Sequence, residues 1–185
     1  MLACCRGDVT AVRCLLDAGA DPNVETPCLS HVETQYWTAL CYTALQGNVT
    51  LARLLLERGA YVEGGMKPSE DRCTLTPLQL AAATGNTDMV SLLLAHGANA
   101  CLSTLHKDSL CYSGAAQRGS PCAIAVAAAH GQRSTLHKLL SHPLSPHTKE
   151  VLSLEEILAE GSTQERPTVS HKTQVRIFQY WWNSG

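Results

Sequence analysis

Phenylalanine occurs once in this sequence, and with five tyrosines and three tryptophans the aromatic residues come to 5% of it. A core short of rings must be packed from small and branched aliphatics, here chiefly Leu and Ala, which suits close-packed helices better than a sheet sandwich. Charge is also scarce, at 16% of the residues against roughly 25% in soluble domains generally. The net charge of −2 provides no basic excess, so nothing points to nucleic acid. An apolar run of about 18 residues, the length a membrane-spanning helix needs, is missing. So is the early apolar stretch of a secretory signal, because Arg6 and Asp8 interrupt the first residues.

Catalytic signatures are missing too. The sequence holds no G-x-x-x-x-G-K, G-x-G-x-x-G, H-E-x-x-H or G-x-S-x-G, which removes the residues for a phosphate cradle, a dinucleotide site, zincin chemistry and a hydrolase elbow. The nine cysteines form no C-x-x-C pair. Cys4 and Cys5 are too close together for zinc, and His137, His142 and His147 stand five apart, off a common helix face. An odd number of scattered cysteines reads as reduced thiols of a cytoplasmic protein, with the nucleus as the alternative compartment. Cys4, Cys5, Cys14 and Cys41 fall where a small buried apolar residue is wanted, which favours packing over nucleophilic chemistry. No enzyme and no cofactor is expected. Asn48-Val49-Thr50 matches a glycosylation acceptor and Ser120-Pro121 and Ser145-Pro146 match proline-directed phosphorylation sites, but loop and repeat grammar explain all three.

What the 185 residues do contain is a phrase repeated four times. Its anchors are Gly7, Gly47, Gly85 and Gly131, and eight and nine residues after each comes a Leu pair: Leu15-Leu16, Leu55-Leu56, Leu93-Leu94 and Leu139-Leu140. Twelve residues after the first three anchors stand Gly19-Ala20, Gly59-Ala60 and Gly97-Ala98, whereas the fourth has Pro143-Leu144. A fixed offset repeated four times is the mark of a stacked repeat in which each unit buries one face alone and its neighbours complete the core.

Before the third anchor runs Thr76-Pro77-Leu78-Gln79-Leu80-Ala81-Ala82-Ala83-Thr84-Gly85, which resembles the T-P-L-H-x-A signature of the ankyrin repeat. The chemistry fits: Thr can cap the helix, Pro at its first position needs no amide hydrogen, and alanines let an inner helix lie close to its neighbours. The second repeat reads Thr38-Ala39-Leu40 and the fourth Cys122-Ala123-Ile124, so both should be less well capped. The first lacks its opening turn, so that the chain starts inside a helix. The fold expected is all-α, an ankyrin solenoid of about four helix pairs spanning 1–143.

The anchors are 40, 38 and 46 residues apart, against about 33 in a regular ankyrin repeat. Because the offsets within each repeat never change, the extra residues fall between Gly-Ala and the next inner helix, roughly Glu25–Trp37, Glu63–Leu75 and Cys101–Pro121, as elongated finger loops. After them, Ser153-Leu154-Glu155-Glu156 is a capping box that predicts a short helix in 144–161. Residues 162–185 form an irregular tail ending in four aromatics between Phe178 and Trp182. With no regular closing repeat at either end, Leu2, Val9 and Val12 should be partly exposed, and self-association through unsealed ends is expected.

The segments Cys28–Trp37, Ser103–Tyr112 and Ser153–Gly161 resemble the ankyrin region of ankyrin-repeat and BTB/POZ domain-containing proteins, over about Met1 to Gly161. In that family the repeats recruit protein, and a following BTB/POZ domain dimerises and can dock on cullin-type ubiquitin ligases. The remaining residues leave no room for such a domain. The resemblance therefore implies a protein–protein interaction module, an ankyrin scaffold or adaptor region. Alternatively, this is a truncated or alternatively spliced product with a regulatory role or none of its own. The loops nominate the contact residues: Tyr36 and Trp37 in the first, Met66, Lys67 and Arg72 in the second, and His106, Lys107, Tyr112 and Arg118 in the third. Aromatics and Arg are the types that anchor protein interfaces. Tyr36 and Trp37 could equally serve to fold their own loop onto the stack.

Overall fold

The structure is a computed structural model and describes residues 1–26, 36–65, 75–102 and 122–142. Within them lie eight helices and no strand: α1 (Leu2–Cys5), α2 (Val9–Asp17), α3 (Ala39–Gln46), α4 (Val49–Glu57), α5 (Pro77–Thr84), α6 (Thr87–Ala95), α7 (Ala123–Ala129) and α8 (Arg133–Ser141). They form four antiparallel pairs. The inner helices α1, α3, α5 and α7 stack on one another, and so do the outer helices α2, α4, α6 and α8.

Alanine sets the spacing of the inner row. Ala39 and Ala44 on α3, Ala81 and Ala82 on α5, and Ala123, Ala125 and Ala127 on α7 are all buried, so successive backbones meet with little side chain between them. Leucines fill the space between inner and outer rows: Leu40, Leu51, Leu55, Leu78, Leu80, Leu93 and Leu139 are all completely or almost completely buried. Each pair turns at its anchor glycine. Gly47 and Gly85 cap α3 and α5 at φ 72° and 78°, in the left-handed region that glycine enters without steric cost.

Capping follows the sequence closely. Thr76 accepts a hydrogen bond from the Gln79 amide, and the Gln79 side chain accepts one from the Thr76 amide, making a complete capping box with Pro77 at the first turn. Thr38 and Cys122, the departures noted above, make no side-chain cap. In the outer row the residue after each anchor takes this role: Asp8, Asn48 and Asn86 accept from the amides of Ala11, Leu51 and Met89. Gln132, one methylene longer than Asn, makes no such cap on α8. Its Nε2 reaches across to the Ala83 carbonyl instead, as Asn86 Nδ2 does to the Gly47 carbonyl. Gln132→Asn can restore the cap while keeping a donor toward α5, and should stabilise the protein by about 0.5–1 kcal/mol. A thermal melt checks this, and a lowered midpoint would show that the Ala83 link outweighs the cap.

Two expectations about burial are corrected. Val12 is buried and not partly exposed, while Leu2 is exposed and Val9 half-buried as expected. Cys14, expected in the core, is exposed. Cys14 stands seven residues after its anchor, where Leu54 and Leu92 are 7% and 6% exposed, so register alone does not decide burial in the first pair. Leu55, Leu93 and Leu139, eight residues after their anchors, are 1%, 0% and 0% exposed, but Leu15 in the same register is 51% exposed. That position faces the preceding repeat: α4, α6 and α8 each pack against a preceding outer helix, and among the described residues α2 does not. Val12, five after the anchor, is buried like Ala52 and Val90 in the same register.

Candidate functional site

The finger bases are the best-defined surface feature of the array, and a ladder of bonds between repeats builds them. Asn23, four residues after Gly19, donates from Nδ2 to the Gly59 carbonyl (3.0 Å), and its Oδ1 accepts from the Tyr61 amide (2.8 Å). Glu63 holds the same register after Gly59, and its Oε1 accepts from the Asn99 amide at 2.7 Å. Local turns set these side chains: Asp21 accepts from the Asn23 amide, and Asn99 accepts from the Cys101 amide.

Each loop springs from a fastened base. Thr26 and Trp37 clamp the first one, with the Thr26 amide donating to the Trp37 carbonyl and the Trp37 amide donating to Thr26 Oγ1. Trp37 is buried and stands edge-on to Tyr42, ring centroids 5.3 Å apart. Its indole therefore packs into the stack at the base of the loop. Tyr36 beside it is half-buried and has a φ of 64°, a left-handed conformation costing about 1–3 kcal/mol for a bulky residue, which the clamp holds in place. At the third base, Gln79 Nε2 donates to the Leu102 carbonyl. Met66, Lys67, Arg72, His106, Lys107, Tyr112 and Arg118 lie outside the described residues, as do 144–161 and the tail.

Sequence reasoning missed Tyr61 and Val24. Both stand on finger bases, and they are 46% and 52% exposed. Tyr61 is an exposed aromatic whose backbone Asn23 fixes, so its ring is presented from a rigid position. The signal was in the register: Tyr61 follows Gly59 by two, where Asp21 and Asn99 follow Gly19 and Gly97.

Burial raises the proton affinity of Cys4, Cys5, Cys41 and Cys101, which favours the unreactive thiol. No group of three or more metal-ligating side chains occurs among the described residues, and no helix among them is long and apolar enough to cross a membrane.

Stacked helix pairs whose finger bases are bonded from one repeat to the next define a helical-repeat scaffold. The family model for ankyrin repeats, in three copies, matches residues 1–104, over half of the sequence, and the chain belongs to the ankyrin repeat family. The fourth pair, α7 and α8, lies beyond the matched residues and continues the same grammar. An ankyrin repeat protein of fowlpox virus (strain NVSL) is 37% identical over 75 residues, 40% of this chain and 13% of that protein. Ankyrin repeat and SOCS box protein 14 of Mus musculus is 34% identical over 87 residues, 46% of this chain and 14% of its own length. Dynein axonemal heavy chain 12 of Bos taurus matches at 34% over 87 residues, 46% of this chain and 22% of its own. The chain thus spans at most about a fifth of these relatives. Ankyrin repeats are in general a non-enzymatic fold that mediates protein–protein binding.

Proposed function

We propose that this chain is a scaffold or adaptor region that recruits a protein partner across its finger bases and the inner-helix face beside them. The observation that carries this reading is the bonded ladder from Asn23 through Tyr61 to Glu63 and Asn99. It holds an exposed Tyr61 and Val24 in a rigid frame, and preorganised aromatic anchors lose little entropy when a partner docks. The loop residues Tyr36, Met66, Lys67, Arg72, His106, Lys107, Tyr112 and Arg118 are proposed as further contacts of that partner. An odd number of cysteines with no C-x-x-C pair, read as reduced thiols, supports a cytoplasmic setting.

A finer assignment, to the ankyrin region of a BTB/POZ-type protein, rests on the resemblance of Cys28–Trp37, Ser103–Tyr112 and Ser153–Gly161. On that reading the repeats select the protein that a BTB/POZ partner or domain would deliver to a ligase. Affinity purification from cytosol followed by mass spectrometry tests the recruitment. Tyr61→Ala should cut recovery of specific partners about tenfold or more, as loss of a central aromatic anchor of ~2 kcal/mol does, with an unchanged melting temperature. Recovery unaffected by Tyr61→Ala and by shortening Cys101–Pro121 would place binding elsewhere.

A further inference from the structure

Asn23 and Glu63 sit at the same repeat position, four residues after Gly19 and Gly59, yet they fasten their junctions differently. Asn23 makes two bonds to the following repeat: Oδ1 accepts from the Tyr61 amide and Nδ2 donates to the Gly59 carbonyl. Glu63 makes one. Its Oε1 accepts from the Asn99 amide at 2.7 Å, while Oε2 is buried with no hydrogen-bond partner among the described residues. By register, the group matching the Gly59 carbonyl at this second junction is the Gly97 carbonyl. An amide carries a hydrogen for such an acceptor; a carboxylate does not. A buried acceptor left unpaired and charged is costly, and one proton removes both faults.

We propose that Glu63 is a proton-operated latch between the second and third repeats: protonated, it makes the pair of bonds that Asn23 makes between the first and second, and ionised it makes only one. The proton comes from solvent and resides on Oε2, which then donates to the Gly97 carbonyl while Oε1 keeps the Asn99 amide. Burial favours the neutral acid and raises the proton affinity of Glu63, opposed in part by the Asn99 amide. The elements around Glu63 carry Glu57, Arg58 and Tyr61 on its own repeat, Glu25 on the finger before, and His96 and Cys101 on the repeat after. Burial is the dominant influence on Glu63, with the Asn99 amide opposing it. Arg58 is engaged with Asp17 across the outer helices. Lys67, Glu70, Asp71 and Arg72 follow in the same loop, outside the described residues.

The direction of the pH effect follows. A carboxyl whose proton affinity is higher folded than unfolded contributes stability that is complete below its unfolded value, ~4.3. That contribution is lost as pH rises through the higher folded value. The second junction is thus tighter in mild acid and looser at neutral pH, while the Asn23 junction is indifferent. Urea unfolding of the full chain and of Glu63→Gln between pH 4 and pH 8 tests this. The two midpoints should coincide at the acid end and separate with rising pH, Glu63→Gln being the more stable. In the unsubstituted chain, the Asn99 amide resonance should titrate with a midpoint above the ordinary glutamate range. Parallel pH profiles for the two proteins, or an Asn99 amide that titrates at an ordinary glutamate value, would overturn the latch.

Discussion

Leu93→Ala should lower the stability of the protein by about 2–5 kcal/mol, the range for truncating a fully buried leucine and leaving a cavity. The same substitution at Leu15 should cost under about 1 kcal/mol. The two residues hold identical places in their repeats, eight after the anchor glycine, and differ only in what lies on their preceding side. Leu93 on α6 is 0% exposed, with α4 on one flank and α8 on the other. Leu15 on α2 is 51% exposed. Urea midpoints for the two variants measure the difference directly. Equal shifts would mean that the eighth position does not face the preceding repeat, and the account of Leu15 would fall with it.

Gln79→Met, nearly equal in volume, should cost roughly 2–4 kcal/mol, although it removes no packing. Gln79 is completely buried and makes three bonds: its Oε1 accepts from the Thr76 amide, its Nε2 donates to the Leu102 carbonyl, and its own amide donates to Thr76 Oγ1. Methionine keeps only the last of these. It strands a buried amide and a partly buried carbonyl, each worth about 1–3 kcal/mol when orphaned. Gln46→Met supplies the control. That side chain is exposed, and its bond to the Cys5 carbonyl can be replaced by water, so a change within about 1 kcal/mol is expected. Thermal melts of the pair decide it. A Gln79 variant as mild as the Gln46 one would show that the capping box and the third finger base are not held through this side chain.

The stack was legible because its signals are local. An anchor glycine, the polar residue after it and a Leu pair at fixed distance specify a helix end, a cap and a buried stripe from within one repeat. The four pairs and the weak caps at Thr38 and Cys122 follow from those letters alone. Features that depend on a neighbouring repeat were harder to see. Leu15 and Leu93 are indistinguishable in register, and only the identity of the flanking helix separates them. Cys14 looked like a core residue because the same helix carries buried positions elsewhere in the array. The candidate site was legible in part. Tyr36 and Trp37 were singled out as aromatic loop residues, but whether a tryptophan fills space or faces solvent depends on the pocket beside Tyr42. Tyr61 went unseen because nothing in its own segment shows that Asn23, 38 residues earlier, grips its amide.

The fastened loop bases have a consequence for how such a chain can change. The bond between Thr26 and Trp37, that from Asn99 to Glu63 and that from Gln79 to Leu102 all lie at the roots of the loops, so the described repeats are fastened there. Closing a loop between fixed ends costs entropy that rises only logarithmically with its length, about 0.6 kcal/mol per doubling. Insertions of several residues are therefore nearly free when they fall between the roots, and ruinous when they fall within an anchor-to-Leu-pair interval. The spacings of 40, 38 and 46 residues over an unchanging internal register are the imprint of that asymmetry: one frame, in which length drifts only where the frame does not feel it.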